Sequence, residues 1–253
     1  MVFNDYAKYY DLLYADKNYQ QEADYVHSLI QRFSASSEKN ILEIGCGTGT
    51  HASFMSRLGY HITGVDMSSE MIDRALAKNI PNTNFQVGNA IDFSLPNNFE
   101  VIYSLFHILS YQTANENQQK MLANVGNHLT ENGIFIFDFW YAPAVLTERP
   151  SVRIKRLEDN DIKVTRISEP LLKVNENTVD VNFELLIENK QNQQLTVIKE
   201  LHPMRYFSLP EIEFLMAAAG MKLAYAQEWL TEKVPSENTW GVCCVAQKYY
   251  EKG

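Results

Sequence analysis

Apolar and polar segments alternate along the first half of the chain. Short apolar runs, separated by stretches in which apolar residues recur at helical spacing, cover residues 40–44, 60–66, 85–90, 99–104 and 133–138. This alternation predicts a parallel sheet with helices on both faces. The carboxyl ends of the strands in such a sheet meet at one edge, where a ligand is expected to bind.

The pattern changes after Asp138. Period-two or mostly apolar segments, separated by polar turns, cover residues 152–157, 162–167, 179–187 and 195–202. These segments predict an antiparallel β-rich insertion. Helical periodicity returns after Ser208, a good N-cap that Pro210 closely follows, and it ends at Gly220. Two more strands are predicted, over residues 222–228 and 241–247.

The N-terminal segment is predicted to be helical over residues 1–36. Tyr6, Tyr10 and Tyr14 recur every four residues, so they are expected on one helix face. The whole pattern predicts an N-terminal helical cap, a core in two pieces and an insertion that serves as acceptor lid or dimer contact. The predicted boundaries are 1–36 for the cap, 37–146 and 208–253 for the core, and 147–207 for the insertion.

Charge and composition argue against several classes of protein. The 253-residue chain has 22 basic and 31 acidic residues, a net charge of −9, and no visible lysine or arginine cluster, which argues against a nucleic-acid partner. No apolar stretch reaches the roughly 18 residues of a membrane span, so no membrane partner is expected. Cys46, Cys243 and Cys244 make no disulfide framework, and the histidines lack metal-ligand spacing. We therefore expect a cytoplasmic protein that binds no metal.

Three glycines follow the first apolar run at alternate positions, as Gly45, Gly47 and Gly49. A strand, a tight turn and a helix of this kind bring backbone N–H groups close to a ligand. The spacing differs from the G-x-G-x-x-G of dinucleotide-binding turns, which disfavours a nicotinamide cofactor. Asp66 ends the second apolar run, 21 residues beyond Gly45, where a carboxylate can accept both hydroxyls of a ribose.

Together these features resemble the class I S-adenosylmethionine (SAM) methyltransferases. The resemblance covers residues 40–140 and includes the E-x-G-x-G-x-G turn that starts at Glu43, the run 64–68, and strands four and five. Asn89 departs from the family pattern, which has aspartate there, but an amide can still bond the adenine amino group. The resemblance implies a Rossmann-like seven-stranded α/β sheet that binds SAM and releases S-adenosyl-L-homocysteine (SAH). The insertion after strand five resembles enzymes that methylate nucleotide-linked amino sugars, or glycine-type N-methyltransferases.

The resemblance also implies roles for individual residues. The expected cofactor-binding residues are Tyr19, Glu43, Gly45, Cys46, Gly47, Gly49, Asp66, Met67, Asn89, Ala90 and Leu105. The catalytic candidates are His107 and Tyr14, and the substrate-binding candidates are Trp140, Tyr141 and Arg205, with His202 and Tyr206 as further lining residues. His107 follows strand four, where an imidazole can remove a proton near neutral pH. A histidine that only contacts the cofactor, and a Tyr14 that only packs, remain alternatives.

These predictions favour methyl transfer from SAM to nitrogen or oxygen of a small molecule. Methylation of protein or nucleic acid is an alternative within the enzyme class. A SAM-binding protein without catalysis is an alternative from another class. The partners expected are a small-molecule acceptor and, if the insertion is a dimer contact, a second copy of the chain.

Overall fold

The structure, a computed structural model, describes residues 8–35 and 39–249. The strands are β1 (Asn40–Ile44), β2 (His61–Asp66), β3 (Thr83–Val87), β4 (Phe99–Ser104), β5 (Leu129–Tyr141), β6 (Arg153–Glu158), β7 (Ile162–Lys173), β8 (Thr178–Asn189), β9 (Leu195–Phe207), β10 (Met221–Glu228) and β11 (Gly241–Lys248). The helices are α1 (Tyr10–Leu13), α2 (Tyr19–Phe33), α3 (Thr50–Arg57), α4 (Ser69–Ala77), α5 (Asn115–His128), α6 (Ala142–Glu148) and α7 (Leu209–Ala218), with 3₁₀ turns at Ile108–Tyr111 and Val174–Glu176. No helix within the described residues is both long and apolar enough to span a membrane.

The core sheet has the strand order β3-β2-β1-β4-β5-β11-β10. Its first five strands are parallel, whereas β11 runs antiparallel to both β5 and β10. The prediction of a Rossmann-like seven-stranded sheet with flanking helices and a β insertion after strand five is therefore confirmed.

Helices cover both faces of the core sheet, and β5 shows how one strand serves both. Phe135 and Phe137 pack with α5 and α7, whereas Ile134 and Ile136 pack with α2 and α3. Successive side chains of a strand point to opposite faces, so a strand covered on both sides is apolar at nearly every position. This is why the parallel strands appear in the sequence as continuous apolar runs.

The insertion is a four-stranded antiparallel sheet, β6-β7-β8-β9, that joins the core sheet through β9. Residues Trp140 and Tyr141 of β5 pair in parallel with Tyr206 and Phe207 of β9. The strands begin close to where the sequence predicts them, but β7 and β9 extend several residues farther. The insertion therefore reaches the carboxyl edge of the core sheet.

The helical segment predicted over residues 1–36 is interrupted within the described residues. Helix α1 ends at Leu13, and α2 begins only at Tyr19, where the Asn18 side chain accepts a hydrogen bond from the Gln21 amide (3.1 Å). Tyr14 therefore lies in the break between the helices, with its ring 4.7 Å from that of Tyr10. The predicted position of Tyr6 lies outside the described residues.

Candidate active site

The glycine turn after β1 adopts backbone angles that favour glycine. Gly45, Gly47 and Gly49 have φ values of 75°, 52° and 73°. A Cβ at Gly45 would lie 2.4 Å from Ile108 Cδ1, and one at Gly49 would lie 2.9 Å from Phe85 Cζ. A Cβ at Gly47 would meet nothing within 4 Å, because this residue faces open space. The turn thus has two tightly packed glycines and one that leaves room for a ligand.

Asp66 holds this turn from the end of β2. Its Oδ2 accepts a hydrogen bond from the Gly47 amide (2.9 Å), and its Oδ1 accepts one from the Ser68 amide (2.9 Å). Burial raises the pKa of Asp66 and outweighs the effect of these two bonds, which favour the charged form. Each carboxylate oxygen has a second acceptor site, so both remain available to ligand hydroxyls.

The other expected adenosine contacts lie along the same edge. Met67 is half exposed beside Asp66. Asn89 Oδ1 accepts a hydrogen bond from the Ile91 amide (3.3 Å), and Ala90 packs against the core. A half-exposed methionine next to an amide-lined turn provides the apolar contact and the polar edge that an adenine ring requires.

A buried charge network lies beneath the glycine turn. Glu22 Oε2 is 2.6 Å from His51 Nε2 and 2.7 Å from Lys17 Nζ. Glu43 Oε1 is 4.0 Å from His51 Nδ1. Burial, together with the nearby Asp66 charge, raises the pKa of Glu43 to about 8. Burial opposes ionisation of Glu22, but His51 and Lys17 outweigh it and lower the pKa of that carboxyl.

The N-terminal segment packs over the turn and leaves a gap of about 20 Å³. Tyr19, Cys46 and Leu105, all expected cofactor-binding residues, line this gap with the glycine turn. The Phe106 ring closes the gap. The centre of the Tyr14 ring lies 4.9 Å from the centre of the Phe106 ring, and Lys17 Nζ lies 4.1 Å from it. The gap suits a cationic ligand, because the aromatic rings of Tyr10, Tyr19 and Phe106 line it. A molecule of the size of SAM requires this segment to move outward.

His107 lies just beyond β4 in a strained backbone. Phe106 and His107 have φ values of 66° and 64°, which side chains other than glycine rarely adopt. Asp138 lies on β5, beside the end of β4. Its Oδ1 accepts a hydrogen bond from the His107 amide (2.8 Å), and its Oδ2 lies 2.9 Å from His107 Nδ1. Burial opposes ionisation of Asp138, but His107 outweighs it and the pKa of Asp138 is lowered. Asp138 was not among the predicted site residues, although it ends the predicted fifth strand.

A chamber of about 490 Å³ opens beside His107, between the core and the insertion. Phe106, His107 and Trp140 line it from the core, and Tyr14 lines it from the N-terminal segment. The insertion contributes its inner face, which includes Arg153, Arg166, Ser168, Phe183, His202 and Met204. The structure therefore brings the two catalytic candidates together with Trp140 and His202 around one cavity.

Tyr141, Tyr206 and Arg205 do not line the chamber. The guanidinium of Arg205 lies on the other face of β9, where it donates to Asn115 Oδ1 (2.6 Å) and to Glu211 Oε1 (2.7 Å). Tyr141 packs against the core cluster, and Tyr206 packs in a separate cluster with Val179.

The prediction that Arg205 faces the acceptor is not supported by this geometry. The chamber arginines are Arg153 and Arg166, which sequence reasoning missed. Arg166 donates to the Tyr14 hydroxyl (3.3 Å), and its guanidinium carbon lies 5.3 Å from the centre of the Phe183 ring. The period-two pattern of β7 was the available signal, because it places Arg166 and Ser168 on one face.

Comparison with known proteins agrees with this arrangement. A family profile described as a methyltransferase domain matches residues 41–133. The chain is 25% identical over 226 residues to dTDP-3-amino-3,4,6-trideoxy-alpha-D-glucopyranose N,N-dimethyltransferase of Streptomyces venezuelae, covering 88% of this chain and 92% of the relative. It is 23% identical to dTDP-3-amino-3,6-dideoxy-alpha-D-glucopyranose N,N-dimethyltransferase of Streptomyces fradiae, covering 87% and 84%. A crystal structure of an S-adenosylmethionine-dependent methyltransferase from Clostridium acetobutylicum shares the fold, with a TM-score of 0.82, 18% identity and coverage of 98% and 100%.

Proposed function

The chain is a class I SAM-dependent methyltransferase that acts on a small molecule, and we propose that its acceptor is the amino group of a nucleotide-linked deoxysugar. The observation that carries the proposal is the chamber, which has a carboxylate-held histidine at the core and two arginines on the insertion. The two sugar N,N-dimethyltransferases that the chain resembles over most of its length support the same acceptor class.

His107 is proposed as the base that removes the proton from the acceptor ammonium. Asp138 lies beside Nδ1 and favours the proton on that nitrogen, so Nε2 remains free to accept another. SAM supplies an electrophilic methyl group, and deprotonation provides the nitrogen lone pair that attacks it. Tyr14 and Trp140 are proposed to enclose the amine and exclude water, which keeps the attacking atom in place.

The cofactor is proposed to bind along the carboxyl edge of β1 and β2. Gly47 leaves space for the methionine portion, and Asp66 offers both carboxylate oxygens to the ribose. Glu43, Cys46, Tyr19 and Leu105 lie beneath or around the methionine portion in this arrangement. Met67, Asn89 and Ala90 are proposed to contact the adenine.

The insertion is proposed to bind the nucleotide end of the acceptor. Arg166 and Arg153 are the basic side chains that line the chamber within the described residues, and an arginine fork matches the geometry of a diphosphate. The 490 Å³ volume suits a sugar with part of its nucleotide, which a folded protein or a duplex cannot enter. We therefore propose that residues 147–207 act as the acceptor lid rather than as a dimer contact.

The test is methyl transfer from labelled SAM to a matched set of acceptors. We expect label in dTDP-linked 3-amino-deoxysugars and none in the analogues that have a hydroxyl in place of the amine. His107→Gln should lower kcat strongly, whereas His61→Gln, at an exposed position on β2, should not. Label in the hydroxyl analogues would overturn the choice of nitrogen. Label only in protein or nucleic-acid fractions of a cell extract would overturn the small-molecule acceptor.

A second set of variants tests the insertion. Arg166→Met should raise KM for the nucleotide sugar at nearly unchanged SAM affinity, because it removes a proposed phosphate contact. Arg156→Met is the matched control, because Arg156 alternates with the chamber-facing positions of β6 and is exposed. Equal KM values for the two variants would contradict a nucleotide-binding role for the chamber arginine.

A further inference from the structure

Three side chains of the core hold a carboxylate beside the gap proposed for the cofactor. The Thr48 hydroxyl donates a hydrogen bond to Oδ1 of Asp11 (2.6 Å), and Lys78 Nζ lies 3.1 Å from Oδ2 of the same carboxylate. Lys78 Nζ also donates to the hydroxyl oxygens of Thr48 (2.9 Å) and Thr50 (3.3 Å). We call Thr48, Thr50 and Lys78 the carboxylate clamp, because each oxygen of the carboxylate has its own donor.

The clamp belongs to the core, whereas the carboxylate that it binds belongs to the N-terminal segment. Thr48 is buried in the glycine turn, Thr50 is the first residue of α3, and Lys78 follows the last residue of α4. An ammonium group can donate three hydrogen bonds, and the two threonines accept two of them, so the third is directed at the carboxylate. The core therefore presents a site that is already arranged for a carboxylate.

Asp11 is a weakly held occupant of this site. Its side chain is 50% exposed, and that of Lys78 is 34% exposed. Ion pairs this close to water add little to stability, because both charges are well solvated when they separate. Asp11 lies on α1, in the segment that must move outward when SAM enters. Its displacement therefore costs little and makes the clamp available to another carboxylate.

The methionine portion of SAM has a carboxylate, and the clamp adjoins the place proposed for this portion. Thr48 and Thr50 line the cofactor gap together with Gly47. The Gly47 amide donates to Asp66, the proposed ribose partner, and Thr48 is the next residue of the same turn. One turn therefore connects the proposed ribose contact with the clamp.

We propose that Thr48, Thr50 and Lys78 bind the carboxylate of SAM, and that Asp11 occupies their site in the ligand-free protein until the cofactor displaces it. This inference rests on the proposed placement of the cofactor along β1 and β2. It makes the N-terminal segment a competitor of the cofactor for one group of donors. SAH has the same carboxylate, so it binds the same residues.

The experiment is isothermal titration of the protein with SAH and with methylthioadenosine, which has the adenosine and the sulfur of SAH but lacks its carboxylate. Lys78→Met should raise the Kd of SAH about tenfold, through the loss of a hydrogen bond between charged groups. It should not weaken the binding of methylthioadenosine. Thr48→Val keeps the shape of the side chain and should change the two Kd values in the same way.

Asp11→Asn should have the opposite effect. It removes the competing charge at constant shape, so the Kd of SAH should fall about threefold, as expected for the loss of a surface ion pair. A purely structural pair of Asp11 and Lys78 predicts that Asp11→Asn and Lys78→Met both weaken SAH binding, and this result would overturn the proposal. An unchanged Kd of SAH in Asp11→Asn would overturn the displacement of Asp11.

Glu116→Gln and Lys120→Met are the matched controls, because these two residues form an exposed ion pair on α5 (2.6 Å). Both controls should bind SAH and methylthioadenosine with the Kd values of the wild type. A wild-type ratio of the two Kd values in Lys78→Met and Thr48→Val would overturn the clamp alone, provided that Asp66→Ala weakens both ligands. Unchanged binding of both ligands to Asp66→Ala would instead overturn the proposed placement of the cofactor.

Discussion

Asp138 holds His107 by both its backbone and its side chain. One carboxylate oxygen accepts the His107 amide proton at 2.8 Å, and the other lies 2.9 Å from the ring nitrogen Nδ1. The residue pair connects the ends of β4 and β5, which are adjacent strands of the core sheet. The backbone hydrogen bond stabilises a turn whose histidine is in the left-handed region. The carboxylate charge beside Nδ1 favours a proton on that nitrogen, although the contact lacks hydrogen-bond geometry.

Asp138→Asn is expected to lower kcat by about 100-fold, the lower end of the usual contribution of a general base. An amide donor facing Nδ1 favours the tautomer that has its proton on Nε2, where the acceptor proton must go. The measurement is kcat at saturating SAM and acceptor. Asp180→Asn, which alters an aspartate paired with Lys173 on the insertion, is the control. An unchanged kcat for Asp138→Asn would contradict the base role of His107.

Local spacing predicts the cofactor half of the site well. The glycine turn and Asp66 are each defined by residues close in sequence, and the structure brings them into direct contact at Gly47. The break before α2 was also predictable, because Asn18 is a standard N-cap and precedes a helical pattern. The tyrosine spacing instead suggested that Tyr10 and Tyr14 lie on one helix face.

The acceptor half depends on which face of each strand turns inward. Trp140 and Tyr141 are neighbours on one strand, so only one of the two can face the chamber, and their sequence does not distinguish them. Arg205 and Arg166 present the same problem, because the insertion strands have polar residues on both faces. Only the pairing of β7, β8 and β9 and their packing against the core decide that Arg166 faces inward.

Asp66→Ala is expected to weaken SAM binding by about 1–3 kcal/mol, roughly 5- to 150-fold in Kd, through lost buried hydrogen bonds. The carboxylate also holds the Gly47 amide, so the variant loosens the turn that receives the methionine portion. Isothermal titration with SAM and with SAH measures the change. Asp73→Ala, at an exposed position on α4, should bind both normally. Equal Kd values for the wild type and Asp66→Ala would remove Asp66 from the cofactor site.

Glu43→Gln is expected to stabilise the ligand-free protein above neutral pH. The folded chain keeps Glu43 protonated up to about pH 8, whereas an unfolded glutamate loses its proton near pH 4.3. Between these values unfolding releases a proton, so the free energy of unfolding falls as pH rises. The glutamine variant has no such proton, and its advantage should grow from pH 5 to pH 8.

Urea unfolding at pH 5, 6, 7 and 8 tests this prediction. The advantage of Glu43→Gln should reach several kcal/mol at pH 8, since one pKa unit corresponds to about 1.4 kcal/mol. Glu232→Gln, at an exposed position, should follow the wild type at every pH. A pH-independent difference between Glu43→Gln and the wild type would mean that Glu43 is ionised in the folded protein.

Lys17→Met is expected to strengthen SAM binding. The Lys17 ammonium lies 4.1 Å from the centre of the Phe106 ring, 4.6 Å from that of Tyr19 and 2.7 Å from Glu22 Oε2, at the gap that the SAM cation is proposed to enter. Two cations repel each other in a site with little water, so removing one should lower the Kd of SAM by about tenfold. The Kd of SAH, which lacks the sulfonium charge, should change less.

Lys39→Met, which removes a cation 4.6 Å from the Tyr60 ring, is the matched control. Weaker binding of both ligands to Lys17→Met would show that Lys17 instead binds the cofactor carboxylate.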